Sequence, residues 1–100
     1  MKFVLLSLAA LATAVSAKNC AKCASTIFYS GQTRSLTFQL QSSSGTAQCN
    51  YDSPPISGFS PYCLYNNNDG SLILSNTGGA CPSFVTIVAV PSSATCNAFP

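Results

Sequence analysis

Six cysteines in a chain of 100 residues limit the fold more than any other feature. Cys20, Cys23, Cys49, Cys63, Cys81 and Cys96 are spaced C-x2-C-x25-C-x13-C-x17-C-x14-C. A zinc site would need paired short spacings or histidines, and the chain has no histidine and one close pair, Cys20 and Cys23. A thioredoxin-like redox pair would head a helix in a βαβ setting, whereas this pair precedes a strand-like run. An even count in a short chain reads instead as three disulfides made in an oxidising compartment, with the pairing left open.

The amino terminus points to the same compartment. Met1-Lys2 is followed by an apolar run from Phe3 to Val15 and by the small residues Ser16 and Ala17. That is the order of a secretory signal peptide: charge, apolar stretch, small residues at the cut. The run falls short of the roughly 20 apolar residues that span a bilayer, so no membrane span is expected. Cleavage is expected after Ala17, with Ala14 as the alternative site. Residues 1–17 are then a signal peptide and residues 18–100 a single cysteine-rich domain. In that domain Lys18, Lys22 and Arg34 stand against Asp52 and Asp69, a net charge of +1. So weak a field argues against nucleic acid or an anionic membrane as the partner.

The local signals are nearly all β. Residues 34–41 alternate, with Leu36, Phe38 and Leu40 on one face and Ser35, Thr37, Gln39 and Gln41 on the other. Period two predicts a strand that buries its leucine–phenylalanine face. Residues 25–29 and 46–51 are further strand candidates, with Ser42, Ser43, Ser44 and Gly45 as the turn before the second. Residues 62–65 and 71–75 flank Asn66-Asn67-Asn68-Asp69-Gly70, which suits a hairpin because asparagine, aspartate and glycine tolerate positive φ. Residues 84–90 are almost wholly apolar and β-branched, and predict a strand buried on both faces. Residues 92–100 read as a tail pinned by Cys96. About six short strands without a helical period give an all-β, disulfide-stapled antiparallel fold, a small sandwich or barrel.

Composition removes most catalytic machinery. The chain has no histidine or glutamate, so a serine, cysteine or threonine nucleophile lacks its usual base. Asp52 and Asp69 are the only carboxylates and both lie in turn-like sequence, which fits turn formation better than paired acid and base catalysis. A hard-cation site would need clustered carboxylates. No catalytic residue, metal site or cofactor is expected, and Lys18, Lys22 and Arg34 read as ordinary solvated charges. No N-glycosylation sequon is present.

Binding is the better class. Between Cys49 and Cys63 lie three aromatics and three prolines: Tyr51, Phe59 and Tyr62, with Pro54, Pro55 and Pro61. Proline lowers the entropy lost on ordering a loop, and tyrosine offers amphipathic contact area. Tyr51, Phe59, Tyr62 and the nearby Tyr65 are therefore the candidate recognition residues, with Asn66, Asn67 and Asn68 as added polar groups. The alternative is that these aromatics cover a small core.

With the leader, the six-cysteine frame and the serine- and asparagine-rich β pattern, the chain resembles the small secreted cysteine-rich proteins of filamentous fungi. Many of these are effectors of plant-associated species, including those described as biotrophy-associated secreted proteins. The resemblance is one of architecture over the whole chain and carries no individual residue across. It implies a secreted, extracellular virulence protein that binds a host protein or glycan, in the apoplast or after entry into host cells. Hydrophobins carry adjacent cysteine pairs, which are lacking here, and cationic antifungal proteins are richer in lysine. A wall- or surface-associated structural or carbohydrate-binding protein, and a secreted antimicrobial toxin, are the alternatives.

Overall fold

The three disulfides pair Cys20 with Cys96, Cys23 with Cys49, and Cys63 with Cys81, in a computed structural model that describes residues 17–41, 45–94 and 96. The signal-like residues 1–16, the serines at 42–44 and most of the tail lie outside the described residues. Eight strands are described: β1 (Ala17–Ala21), β2 (Thr26–Tyr29), β3 (Gln32–Ser35), β4 (Phe38–Gln41), β5 (Thr46–Asn50), β6 (Tyr62–Asn66), β7 (Leu72–Ser75) and β8 (Ile87–Pro91). All pairings between them are antiparallel. β4-β5-β6-β7 form a meander of four strands, β2-β3 a hairpin, and β1-β8 a ribbon joining the two ends of the described chain. The fold is all-β and disulfide-stapled, and three small sheets are compatible with the expected sandwich or barrel. No helix among the described residues is long and apolar enough to cross a membrane.

The core lies on one face of the meander. The inner positions are Gln39, Cys49, Cys63 and Ser75 in one register row and Gln41, Ala47, Tyr65 and Leu72 in the next, since side chains alternate along each strand. Ala21, Cys23, Ile27, Tyr51 and Cys81 pack against the buried members of this set, so half-cystines make up much of the interior. Small stapled domains use this solution when apolar side chains are scarce.

Two strand expectations are overturned. Residues 34–41 do not form one strand: the chain breaks after Ser35, where Leu36 N–H bonds the Ser25 carbonyl and Thr37 N–H bonds that of Asn50. Beyond the break the alternation has the expected period but the opposite sense. Gln39 is 4% exposed and Leu40 is 45% exposed. The buried amide explains this. Gln39 Oε1 accepts from Cys23 N–H at 3.5 Å, and its Nε2 donates to the carbonyls of Ala21 at 3.3 Å and Cys96 at 2.6 Å. Three buried backbone groups are thereby satisfied, which a leucine cannot do.

The apolar run at 84–90 is likewise not buried on both faces. It enters β8, whose described pairing is with β1 alone, and Phe84, Val88 and Ala89 are exposed. A two-stranded ribbon has no layer above and below to cover both of its faces. The hairpin expectation holds: β6 and β7 flank the Asn66–Gly70 turn, where Asp69 Oδ1 accepts from Ser71 N–H at 2.9 Å and Ser71 Oγ at 2.7 Å.

Candidate functional site

Tyr51 and Tyr65, two of the four aromatic candidates, are fully buried. The Tyr51 hydroxyl donates to the Ala24 carbonyl and the Tyr65 hydroxyl to that of Pro82, each at 2.8 Å. Burial pushes the Tyr51 pKa well above its ordinary value, with the charge of Tyr65 adding to the rise; burial alone lifts Tyr65 to about 12. As recognition residues these two are corrected to core residues, because no partner can reach their rings. Asn67 is also corrected: it is buried, accepting from Ala21 N–H at 2.8 Å and donating to Gln41 at 2.8 Å.

Phe59 remains at the surface and Tyr62 is part-exposed, and different elements hold the two. Phe59 stacks on Tyr29 with centroids 5.9 Å apart, which fastens the loop to the β2–β3 hairpin. Arg34 reinforces that contact from below. It is 3% exposed, its Nε donates to the Tyr29 carbonyl at 2.9 Å, and its Nη1 donates to that of Pro54. Arg34 is therefore a buried strut and not the solvated charge expected from the sequence. A guanidinium suits this place because its planar fork holds two carbonyls at once.

Tyr62 belongs to a different surface, the outer face of the meander. Its register row there is Phe38–Asn50–Tyr62, and the neighbouring row is Leu40–Gln48–Leu64–Leu74. Phe38, Leu40 and Leu74 are about half exposed, as is Ile73 beside the irregularity in the β6–β7 register. No charged residue stands in these two rows.

A chain of hydrogen bonds closes one end of this face. Gln48 Nε2 donates to Asn50 Oδ1 at 3.0 Å, Asn50 Nδ2 to Ser60 Oγ at 2.8 Å, and Ser60 Oγ to Asp52 Oδ2 at 3.0 Å. Thr37 Oγ1 lies 3.3 Å from the same carboxylate oxygen and accepts from Asp52 N–H at 3.2 Å. Asn76 ties the loop down beside Tyr62, accepting from Tyr62 N–H and donating to the Ser60 carbonyl, each at 2.9 Å. The loop between Cys49 and Cys63 thus contributes less through its aromatics than through Asp52 and Ser60, which extend the sheet's polar row.

An open groove of about 500 Å³ lies elsewhere, between Lys22, Ser25, Pro82 and Phe84. All six cysteines are in disulfides, and among the described residues no cluster of histidine, cysteine or carboxylate is placed to hold a metal ion. What the outer face offers is contact: apolar area, planar amides and one carboxylate. Sequence reasoning missed Phe38 and Leu40 as surface residues because each looks like core. The chain matches no family model, no curated protein and no solved structure.

Proposed function

We propose that this is a secreted, effector-type protein of a filamentous fungus that works by binding a host component and has no catalytic activity of its own. The observation that carries the binding reading is the outer face of the meander, where Phe38, Leu40 and Leu74 stand about half exposed with no charge in their register rows. Large apolar side chains left open on both edge strands of one small sheet, with amides between them, supply area that a partner can cover. Export is supported by the signal-like residues 1–17 and by the three disulfides, and fungal origin by the architectural resemblance alone. The host component is met outside the cell or after uptake. The test is retention from host extract on the oxidised protein. A component held by the wild type and lost with Leu40→Ser plus Leu74→Ser supports the reading, and equal retention by both proteins removes it.

A second reading has an observation of its own. Phe28 and Phe84 are each 66% exposed and lie off the meander, so apolar groups are spread over several sides of the molecule. A wall- or surface-coating protein would use such a distribution. Lowered surface tension and detergent-resistant assembly of the purified protein would favour it over host binding.

A further inference from the structure

We infer that the Phe38–Asn50–Tyr62 row, with Asp52, Ser60 and Thr37 at its end, binds a neutral oligosaccharide. The inference rests on the binding reading above and specifies the ligand.

The first support is the order of the polar groups. The donors run one way, from Gln48 to Asn50 to Ser60 to the Asp52 carboxylate. Each amide nitrogen spends one N–H inside the chain and keeps a second, while Asp52 receives its side-chain bonds on Oδ2, so that among the described residues Oδ1 has no partner. The site therefore presents fixed donors and a fixed acceptor side by side. Sugar hydroxyls, which both donate and accept, match that mixture.

The second support is the rings. Phe38 and Tyr62 lie on either side of Asn50, in strands two places apart, so their positions are about 9–10 Å apart by the strand spacing. That is the span of about two pyranose rings, whose C–H faces lie against aromatic rings while their hydroxyls reach the amides between. Concave sites elsewhere combine apolar walls with a few placed polar groups; here the same combination is laid out flat, as suits a chain polymer.

The third support is charge. Arg34 is buried under the loop with its Nε and Nη1 bonded to carbonyls, and neither Lys18 nor Lys22 belongs to the strands that form this face. An acidic sugar would meet the Asp52 carboxylate with no cation in the row to offset it. A cationic peptide would use Asp52 alone and leave the rings and amides idle. The absence of a contiguous sugar-binding motif is no obstacle, because the groups come from β4, β5, β6 and the loop, and sheet pairing assembles them.

The experiment is an NMR titration of the oxidised protein with cellohexaose, chitohexaose, laminarihexaose and hexagalacturonate. Saturable binding of at least one neutral sugar is expected, with shifts at the Gln48 and Asn50 side-chain amides. Phe38→Ala and Asp52→Asn should each weaken it about tenfold or more, and Phe28→Ala should leave it unchanged. Asp52→Asn keeps an oxygen for Ser60, so loss there does not reduce to unfolding, and the amide spectrum of each variant reports its fold. The inference is overturned by no saturation with any neutral sugar up to about 10 mM, by equal or tighter binding of hexagalacturonate, or by unchanged binding in both site variants. A host protein retained through Leu40 and Leu74 in the absence of sugar binding would overturn the glycan and leave the binding reading standing. Failure of both would remove both.

Discussion

Gln39 and Leu40 exchange the places that hydrophobicity alone would assign them, and the exchange can be tested. Gln39→Leu should destabilise the protein by about 2–4 kcal/mol despite adding apolar area to the interior, because the Ala21 and Cys96 carbonyls and the Cys23 N–H lose their partner. Leu40→Ser should cost within about 0.5 kcal/mol, as surface substitutions usually do. Urea denaturation of the oxidised proteins decides it, and the reverse order would return Leu40 to the core. The alternation in 34–41 made the period legible. Its sense was not legible, because it depends on backbone groups of Ala21, Cys23 and Cys96 that come to Gln39 from far along the chain. The aromatics show the same limit. Nothing local separates Tyr51 and Tyr65, which reach carbonyls across the core, from Tyr62, which faces outward. The two buried hydroxyls predict an alkaline transition. Their folded pKa values lie above the unfolded one, so their contribution is complete below about pH 10 and is lost as pH rises toward about 12, the Tyr65 value. Tyrosinate absorbance at the last-titrating groups should therefore rise together with loss of the β spectrum. Full ionisation of all tyrosines with the fold intact would contradict their burial.

The Asn66–Gly70 turn was the most legible element and the β1–β8 ribbon the least. The Asn66–Gly70 hairpin follows from residue types that accept its backbone, and Gly70 shows how strictly. Its φ is +77°, and a Cβ there would run into the Val85 carbonyl oxygen, just where Val85 N–H bonds Gly70 O at 2.9 Å. Gly70→Ala should cost about 2 kcal/mol or more, from strain at positive φ and loss of the contact that joins the hairpin to residues 83–85. Gly58→Ala, with a similar φ but open space around it, should cost less. Comparing the two by thermal denaturation isolates the packing part, and equal losses would show that the Val85 contact is unimportant. The run at 84–90 was misjudged because an apolar, β-branched stretch has the same composition in a buried central strand and in an uncovered ribbon. Whether a layer covers it is decided by the rest of the chain.

On the scale of the whole molecule, the cysteine frame was legible in number but not in pairing. Cys20 and Cys23 are neighbours in sequence yet enter different bridges, one closing 76 residues and the other 26. By loop-closure entropy the bridges over 18, 26 and 76 residues are worth about 3 to 4.5 kcal/mol each, comparable with what a core this size supplies. Reduction is therefore expected to unfold the protein, and a circular dichroism spectrum unchanged in excess reductant would contradict that. Export and binding together are the central claim, and the binding surface is its most exposed part. The most direct measurement is hydroxyl-radical footprinting of the oxidised protein, alone and with the component it retains from host extract. The account predicts protection at Phe38, Leu40, Tyr62, Leu64 and Leu74, with Phe28, Phe84 and Val88 oxidised as before. Protection confined to Phe84 and Val88, or none on the meander, would contradict it.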